Sequence, residues 1–597
     1  MQRMKKQTKR AILWSVLGVL ALVIILLAAY IVDLTGFPGN IRETDYSKQV
    51  KTEGVKSTFH QGVIYRYPGI VPMLEVEGDY YEMGLQYGAL LRPEIVSGMA
   101  AMEKILTWNA EEMGVPYPAL VGIIKFQARQ MAGALPQRYQ DEMKGVADGS
   151  GVPLDTVISC CLFYDVGMAM DCTGVLMRGK DGSIIQGRNN DTAGFGGEEL
   201  AKMTVVVRHK VAGKNTVTHM DQPLYMGVET GYSDKGLSFG EETLRIKNPN
   251  PNGFSLPYLI RMIMEDCSTL DDIYPYFDKY PTIAAYGCVW SDLDAGRGAV
   301  VELTPIAWAK NELTGSLLWN FNRIYDPKLA EQQKPSRSIS NINIDREAVA
   351  SEFPVRDTYT IEDAVAFVRA QAGPDGTDYS WSGTKLPVCN WMASQMMVFD
   401  SKSDGFYMAV GPYYAARQDI YHFFNDFSRK PELFMQAVSI KPVVEKAAQI
   451  ENRLTSKAEK LRAFIDLAAE FKDDANAQFT VAYKAFRLSR MDIFPAYARK
   501  AYAMDPGNSE YRMYAGMAEY YDKDMEKAVD LLDAVTARYP EQDLIRLTVL
   551  ERASVSASPQ KTSTYAWQKQ AEIDKYGAQA YYDDSILPQI DALDRSK

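Results

Sequence analysis

The first pattern along the chain is an apolar run from Ala11 to Val32, preceded by Arg3, Lys5, Lys6, Lys9 and Arg10. A helix needs roughly 20 apolar residues to cross a bilayer, and flanking basic residues keep their end in the cytoplasm. The pattern predicts a cytoplasmic basic segment over residues 1–10, a single-pass transmembrane anchor over 11–32, and the remainder of the chain on the extracytoplasmic side. A cleaved signal peptide would have an apolar core of about 7–15 residues ending in a small-x-small site, and Leu27-Ala28-Ala29-Tyr30 is a poor one. Residues 33–64 are polar, lack clear periodicity and read as a stalk. From residue 65 to 430 helical and strand patterns mix. Apolar positions three and four apart predict helices over 80–150. From Thr173 onward strand signals dominate, as in Met203–Arg208 and Gly298–Leu303.

After about Pro431 the pattern is almost purely helical. Pro506 and Pro540 lie one tetratricopeptide period apart, about 34 residues. Between them Ala515, Ala518 and Ala528 let paired helices approach closely, and Ala503-Met504-Asp505-Pro506 looks like the end of a repeat's second helix. A weaker unit covers about Asp474–Asp505. Residues 431–597 thus resemble tetratricopeptide repeats. Solenoids need about three or more repeats to stand alone, so two readings stand side by side: a docking platform for a protein partner, or a helical cap on the preceding domain.

Composition narrows the function. The 597 residues are 47% hydrophobic and 24% charged, enough for a large core and more than one domain. The formal net charge of −11 excludes nucleic acid as the main partner, because phosphate binding needs a clustered basic face. The cysteines are Cys160, Cys161, Cys172, Cys267, Cys288 and Cys389, without a disulfide-dense framework. No pair has zinc-site spacing and only His60, His209, His219 and His422 are available, so no metal or organic cofactor is expected.

The chemistry concentrates in residues 171–191. Gly179-Lys180-Asp181-Gly182 is a strong hairpin turn, with Thr173–Arg178 and Ser183–Arg188 as its strands. Folding about that turn puts Cys172 opposite residues 189–191. Alternate strand residues share a face, so Arg188 and Asn190 fall on the face of Cys172, with Asp191 at the strand end. A thiol needs a base or a nearby positive charge to become nucleophilic. If Cys172 were a chain terminus, its α-amine, with an ordinary pKa of about 7.7–8.0, would serve as that base. Asp191 would hold the amine, and Arg188 would stabilise thiolate or orient an acyl group. Against this, most free cysteines are small buried hydrophobes, and an Arg–Asp pair beside a hairpin is often a surface ion pair of little energetic consequence.

In these residues the chain resembles the isopenicillin-N acyltransferase family, within the larger choloylglycine hydrolase and acid ceramidase group of N-terminal-nucleophile enzymes. Cys172, Arg188 and Asp191 match the spacing of that group's cysteine, arginine and aspartate. Segments 77–88 and 142–149 look like its entry motif and the next helix, and their glycines permit close helix packing. Leu318-Trp319-Asn320-Phe321-Asn322 falls where the family places an asparagine whose amide helps bind the oxyanion. Asn320 is the first candidate and Asn322 the second, while Arg337 stands for a later arginine of some relatives. Two positions depart from the pattern: Asp171 stands where the namesake has glycine, and Tyr286-Gly287-Cys288 falls where many relatives carry an asparagine. The resemblance covers roughly 65–425. It implies an α+β fold, a four-layer α-β-β-α sandwich of two antiparallel sheets between helices, spanning 65–430. It also implies self-cleavage between 171 and 172, with both fragments staying associated.

The function so implied is a cysteine amidohydrolase that cleaves the C–N bond of an N-acylated small molecule through a thioester. An N-acyl amino acid, a bile-salt-like conjugate, a lipid amide or a β-lactam side chain would fit. An acyltransferase of the same fold is the nearest alternative, disfavoured by the expected separation from cytoplasmic coenzyme A. A Cys–His protease lacks a supporting signature at any of the four histidines. A non-catalytic membrane scaffold presenting the tail is the remaining alternative.

Overall fold

The computed structural model describes residues 36–163, 165, 171–191, 197–335, 343–371, 388–411 and 414–595. They form two compact units. One comprises the described parts of Met1–Val63, Val76–Met168 and Pro223–Met226, the other those of Ile64–Glu75, Ala169–Gln222 and Gly227–Lys597.

The first unit is mainly helical, as the spacing over 80–150 predicts: Tyr80–Leu90, Arg92–Met113, Tyr117–Ala134, Gln137–Ser150 and Leu154–Cys161. Asp79 caps the first by accepting from the Glu82 amide at 2.8 Å. Tyr80–Leu90 and Gln137–Ser150 pack backbone to backbone. A Cβ on Gly84 would lie 2.1 Å from Glu142 O, and one on Gly145 would lie 2.2 Å from Tyr81 O. The glycines of both segments therefore serve packing. The region expected to be a stalk differs from expectation, since it carries β1 (Lys51–Glu53), β2 (Lys56–Phe59) and the start of β3 (Gly62–Tyr65). Strands this short give too few alternations for a period-2 signal to register.

The expected single-pass membrane protein is corrected here. Among the described residues no helix is long and apolar enough to cross a membrane. The helix Arg92–Met113 is long enough but carries Arg92, Glu94, Glu103, Lys104, Glu111 and Glu112. The expected anchor, residues 11–32, lies outside the described residues.

In the second unit, after β4 (Met73–Gly78), two sheets are built around the hairpin of β5 (Asp171–Arg178) and β6 (Ile184–Asp191). The turn closes as its residues dictate: Gly179 N–H donates to Ser183 O at 2.8 Å and Gly182 has φ +82°. A meander follows through β7 (Val205–Val211), β8 (Val217–Asp221), β9 (Thr230–Ser233), β10 (Leu237–Leu244), β11 (Ala285–Asp292), β12 (Arg297–Leu303) and β13 (Trp308–Glu312), each paired antiparallel with the next. The other sheet adds β14 (Leu317–Asn320), β15 (Ala393–Asp400), β16 (Phe406–Val410), β17 (Ile420–Phe423) and β18 (Glu432–Met435), in the order β14-β5-β6-β15-β16-β17-β18.

The hairpin is buried on both faces. Leu176 and Ile184 meet Val289 and Val300 of the meander sheet. Val175, Met177 and Ile185 meet Ala364, Val365 and Val368 of the helix Ile361–Val368. Helices Leu256–Asp266 and Leu270–Lys279 contact β8, β9, β11 and β12. From Pro442 to Asp594 the chain is helical. Residues between Pro506 and Pro540 form Ser509–Tyr521 and Met525–Asp533, which approach so closely that a Cβ on Gly516 would lie 2.7 Å from Leu532 Cγ. The apolar core behind β5 runs without a break into this region, from Val175 and Phe321 through Ala447 and Phe464 to Leu593. The chain is thus an α+β fold with a large helical C-terminal region.

Candidate functional site

The hairpin register places Asp171 opposite Asp191, Cys172 opposite Asn190 and Gly174 opposite Arg188. On the other side of β5, Gly174 pairs with Asn320 of β14. Alternation then puts Cys172, Arg188, Asn190 and Asn320 on one face, and Asn322 follows just beyond the end of β14.

Cys172 is fully buried. Arg188 Nη2 donates to its Sγ at 3.3 Å, and Sγ lies 3.9 Å from Asn190 Oδ1. Arg188 is itself anchored, donating from Nε to Glu241 O at 3.0 Å and from Nη1 to Thr230 Oγ1. Gly240 gives it room, because a Cβ there would lie 2.8 Å from Arg188 Cδ. Burial pushes the Cys172 thiol well above its ordinary pKa, against the pull of Arg188. For Arg188, burial works against the charge, but Cys172, Glu241, Glu229 and Glu242 outweigh it and raise the guanidinium pKa. Burial therefore favours the neutral thiol, while the guanidinium beside it keeps its charge.

The backbone of Cys172 is held as firmly as its side chain. Its N–H donates to Asn322 Oδ1 at 2.7 Å. Its carbonyl accepts from Arg346 Nη1 at 2.6 Å, and the same nitrogen donates to Asn322 Oδ1 at 3.1 Å. Arg346 Nη2 pairs with Asp191 Oδ2, to which Asn390 Nδ2 also donates at 2.9 Å. Burial raises the Asp191 carboxyl to about 6, with Arg346 and Asn390 pulling it down and Asp171 adding to the rise. Asp191 Oδ1 has no hydrogen-bond partner among the described residues.

Asn320, the expected oxyanion donor, is buried and gives Nδ2 to Glu242 Oε2 at 3.1 Å. It packs against Gly287, where a Cβ would lie 2.0 Å from Nδ2. Burial holds Glu242 well above the usual carboxylate range, although Arg188 and Asn320 oppose it. Asn320 also lines a cavity of about 510 Å³ whose walls include Val300, Leu318, Trp319 and Tyr325. Among the described residues no cluster of three His, Cys, Asp or Glu side chains could hold a metal ion.

The structure thus brings Cys172, Arg188 and Asn190 together directly, and reaches the Asp191 carboxylate from Cys172 through Arg346 and Asn322. Asn322 sits on the Cys172 amide. Arg337 lies outside the described residues. Arg346, Asn390 and Glu242 were missed by the sequence reading. For Arg346 a signal exists: in the helix Asn343–Glu352, Asn343 and Arg346 line up with the buried Val349 and Ala350, so polar groups occupy an inward stripe. Glu241 and Glu242 are an acid pair within a buried strand, a second signal. Asn390 offers none.

Residues 177–343 match the family model described as acyl-coenzyme A:6-aminopenicillanic acid acyl-transferase. The match takes in Arg188, Asp191, Asn320 and Asn322 but begins after Cys172 and ends before Arg346. Acid ceramidase from Mus musculus is 30% identical over 129 residues, 20% of this chain and 32% of that protein. The Homo sapiens enzyme is 25% identical over 264 residues, 39% of this chain and 66% of that protein. The chain therefore spans between a third and two thirds of these relatives. Among solved structures, a Caenorhabditis elegans N-acylethanolamine-hydrolyzing acid amidase ortholog is 17% identical, covering 39% of this chain and 94% of that one at a TM-score of 0.27. A mutant conjugated bile acid hydrolase from Clostridium perfringens is 12% identical, covering 45% and 99% at a TM-score of 0.29. Over residues 177–343 the chain is thus similar to the acyl-coenzyme A:6-aminopenicillanic acid acyl-transferase family.

Proposed function

We propose that this chain is a self-processing cysteine amidohydrolase that cleaves the C–N bond of an N-acylated small molecule. One observation carries the reading: both ends of Cys172 chemistry are prepared, with Arg188 Nη2 at 3.3 Å from Sγ and Asn322 Oδ1 at 2.7 Å from its backbone nitrogen. In self-processing, Sγ attacks the Asp171 carbonyl carbon. The Asp171–Cys172 C–N bond breaks, its nitrogen takes a proton, and water hydrolyses the resulting thioester. The freed α-amine remains against Asn322. In turnover this amine takes the thiol proton and the thiolate attacks the substrate acyl carbon. The leaving amine departs with a proton and water releases the acid from the thioester.

Arg188 stabilises the thiolate that burial disfavours. Asp191 acts on the amine through Arg346 and Asn322, which replaces direct contact with a relay. An amide nitrogen carries two N–H groups, so Asn320, with one on Glu242, has another for the oxyanion. The cavity beside Asn320 has mixed walls, with Val300, Leu318 and Trp319 beside Glu302, Lys310 and Asp326. The name of the acid ceramidases, which the chain matches in part, supports a substrate of the N-acyl amide class. The family name supports a second reading, in which an amine rather than water takes the acyl group from the thioester.

The helix Ile361–Val368, the two sheets, and the helices Leu256–Asp266 and Leu270–Lys279 support a four-layer α-β-β-α sandwich for residues 65–430. The helix pair between Pro506 and Pro540 supports a tetratricopeptide-like character for residues 431–597.

Edman sequencing and intact mass of the purified chain, beside Cys172→Ala, test the mechanism. A new terminus beginning Cys-Thr-Gly in the wild type alone is expected. An uncut wild type leaves no α-amine at Cys172 and sinks the mechanism.

A further inference from the structure

The helix Asn343–Glu352 faces two ways. Arg346 reaches into the candidate site. The adjacent Asp345 is fully buried and accepts from Arg538 Nε at 2.9 Å and from Tyr539 Oη at 2.8 and 2.9 Å. Arg538 and Tyr539 lead into the tail helix Pro540–Ala557. A second link runs in parallel. Asn452, which ends the tail helix Pro442–Glu451, donates from Nδ2 to Trp391 O at 3.3 Å. The neighbour of Trp391 is Asn390, which donates to Asp191. Both side chains that hold the Asp191 carboxylate are thus next in sequence to a residue gripped by the tail.

A buried carboxylate is costly unless paired and hydrogen-bonded. Asp345 meets that condition through Arg538 and Tyr539, so the helix that carries Arg346 is seated by the tail. The apolar core shared by β5 and the tail points the same way. A detachable docking module would need neither the ion pair nor the common core.

We propose that the helical tail is a positioning element of the candidate site: Arg538 and Tyr539 through Asp345, and Asn452 through Trp391, fix Arg346 and Asn390 on the Asp191 carboxylate. The proposal rests on the reading in which Asp191 serves Cys172. Displacing catalytic groups by about 1 Å costs up to about a hundredfold in rate, so loosening these struts acts on turnover without touching a substrate contact.

The test uses the full chain with Tyr539→Phe, Arg538→Gln and Asn452→Ala, singly and together, and Arg538→Lys as the conservative variant. Thermal unfolding identifies the folded ones, and the single Tyr539→Phe removes only a hydroxyl. Two readouts are taken. Hydrogen exchange needs no turnover: faster exchange is expected in peptides covering 343–352 and 388–395, with 509–533 unchanged. Unchanged exchange there overturns the proposal whether or not the protein is active. Kinetics on an N-acyl amide is expected to show kcat lowered about tenfold for the loss of one or two such bonds, with KM held. The acid limb should move to higher pH, because Arg346 holds the Asp191 carboxyl down, and Arg538→Lys should recover most of the rate. Unaltered kcat and pH profile in variants whose exchange has changed also overturns it. A wild type that neither cuts itself nor hydrolyses any amide defeats the enzymatic reading alone, and exchange then decides the positioning.

Discussion

Replacing Arg346 by methionine removes a side chain that touches Cys172, Asn322 and Asp191 at once. The comparison is best made in a Cys172→Ala background, so that both proteins stay uncut. Asp191 titrates at about 6 in the fold against 3.8 ordinarily, raised by burial and restrained by Arg346. Between those two values the folded state holds a proton that the unfolded state lacks, so stability falls as pH rises through this window. At 1.36 kcal/mol per pH unit, the reference protein loses about 1 kcal/mol from Asp191 between about pH 5 and about pH 8. Without Arg346 the buried carboxylate has no cation. Its protonation then persists to higher pH, so the loss over the same interval is larger. At the acid end the substitution costs only hydrogen bonds, about 1–3 kcal/mol. Chemical unfolding at the two pH values should therefore show the variant losing more than the reference on going from acid to alkaline, by at least about 1 kcal/mol for each pH unit by which the Asp191 carboxyl rises within the window. An equal destabilisation at both values would refute the idea that Arg346 governs the charge of Asp191.

Asn322→Ala unpairs the Cys172 amide and is expected to slow self-cleavage by up to about a hundredfold, read as the half-time for appearance of the Cys172 terminus. Asn320→Ala should lower kcat for amide hydrolysis about 10²–10³-fold if its amide binds the oxyanion, and a change confined to KM would remove it from that role. His209 and His219 are buried with Nε2 atoms 3.0 Å apart, and Arg261 lies 3.1 Å from His209 Nδ1. Burial first, and then these neighbours, hold both rings well below the ordinary value of 6.5. Their contribution to stability is complete above about pH 6.5 and is lost as pH falls, because only the unfolded state takes up the protons. The acid unfolding midpoint should move lower in a His209→Gln, His219→Gln double variant that otherwise folds. Gly516→Ala places a Cβ 2.7 Å from Leu532 Cγ. It should destabilise the tail by about 1–3 kcal/mol through overpacking, seen as a lower Tm, and an unchanged Tm would mean that the helix pair can separate.

Local features can be read from the chain alone. A four-residue turn and strand alternation brought Cys172, Arg188 and Asn190 to one face, because the geometry of a hairpin is set within a few residues of its turn. The three- and four-residue spacing over 80–150 gave the helices, since one buried stripe repeats every 3.6 residues. The same logic failed where the pattern was too short, as in β1 and β2. It also could not choose between Asn320 and Asn322, which lie two residues apart. Only the register of β14 on β5 decided that Asn320 lies beside Gly174 and Asn322 on the Cys172 amide. Arg346 and Asn390 meet Asp191 across 155 and 199 residues of chain. Contacts of that range carry no periodicity, because they follow from how whole elements pack and not from the spacing within any one of them. For the same reason the sequence left the tail as either a platform or a cap. That Arg538 and Tyr539 close on Asp345 is decided by tertiary packing, which alone can neutralise a carboxylate buried that deeply.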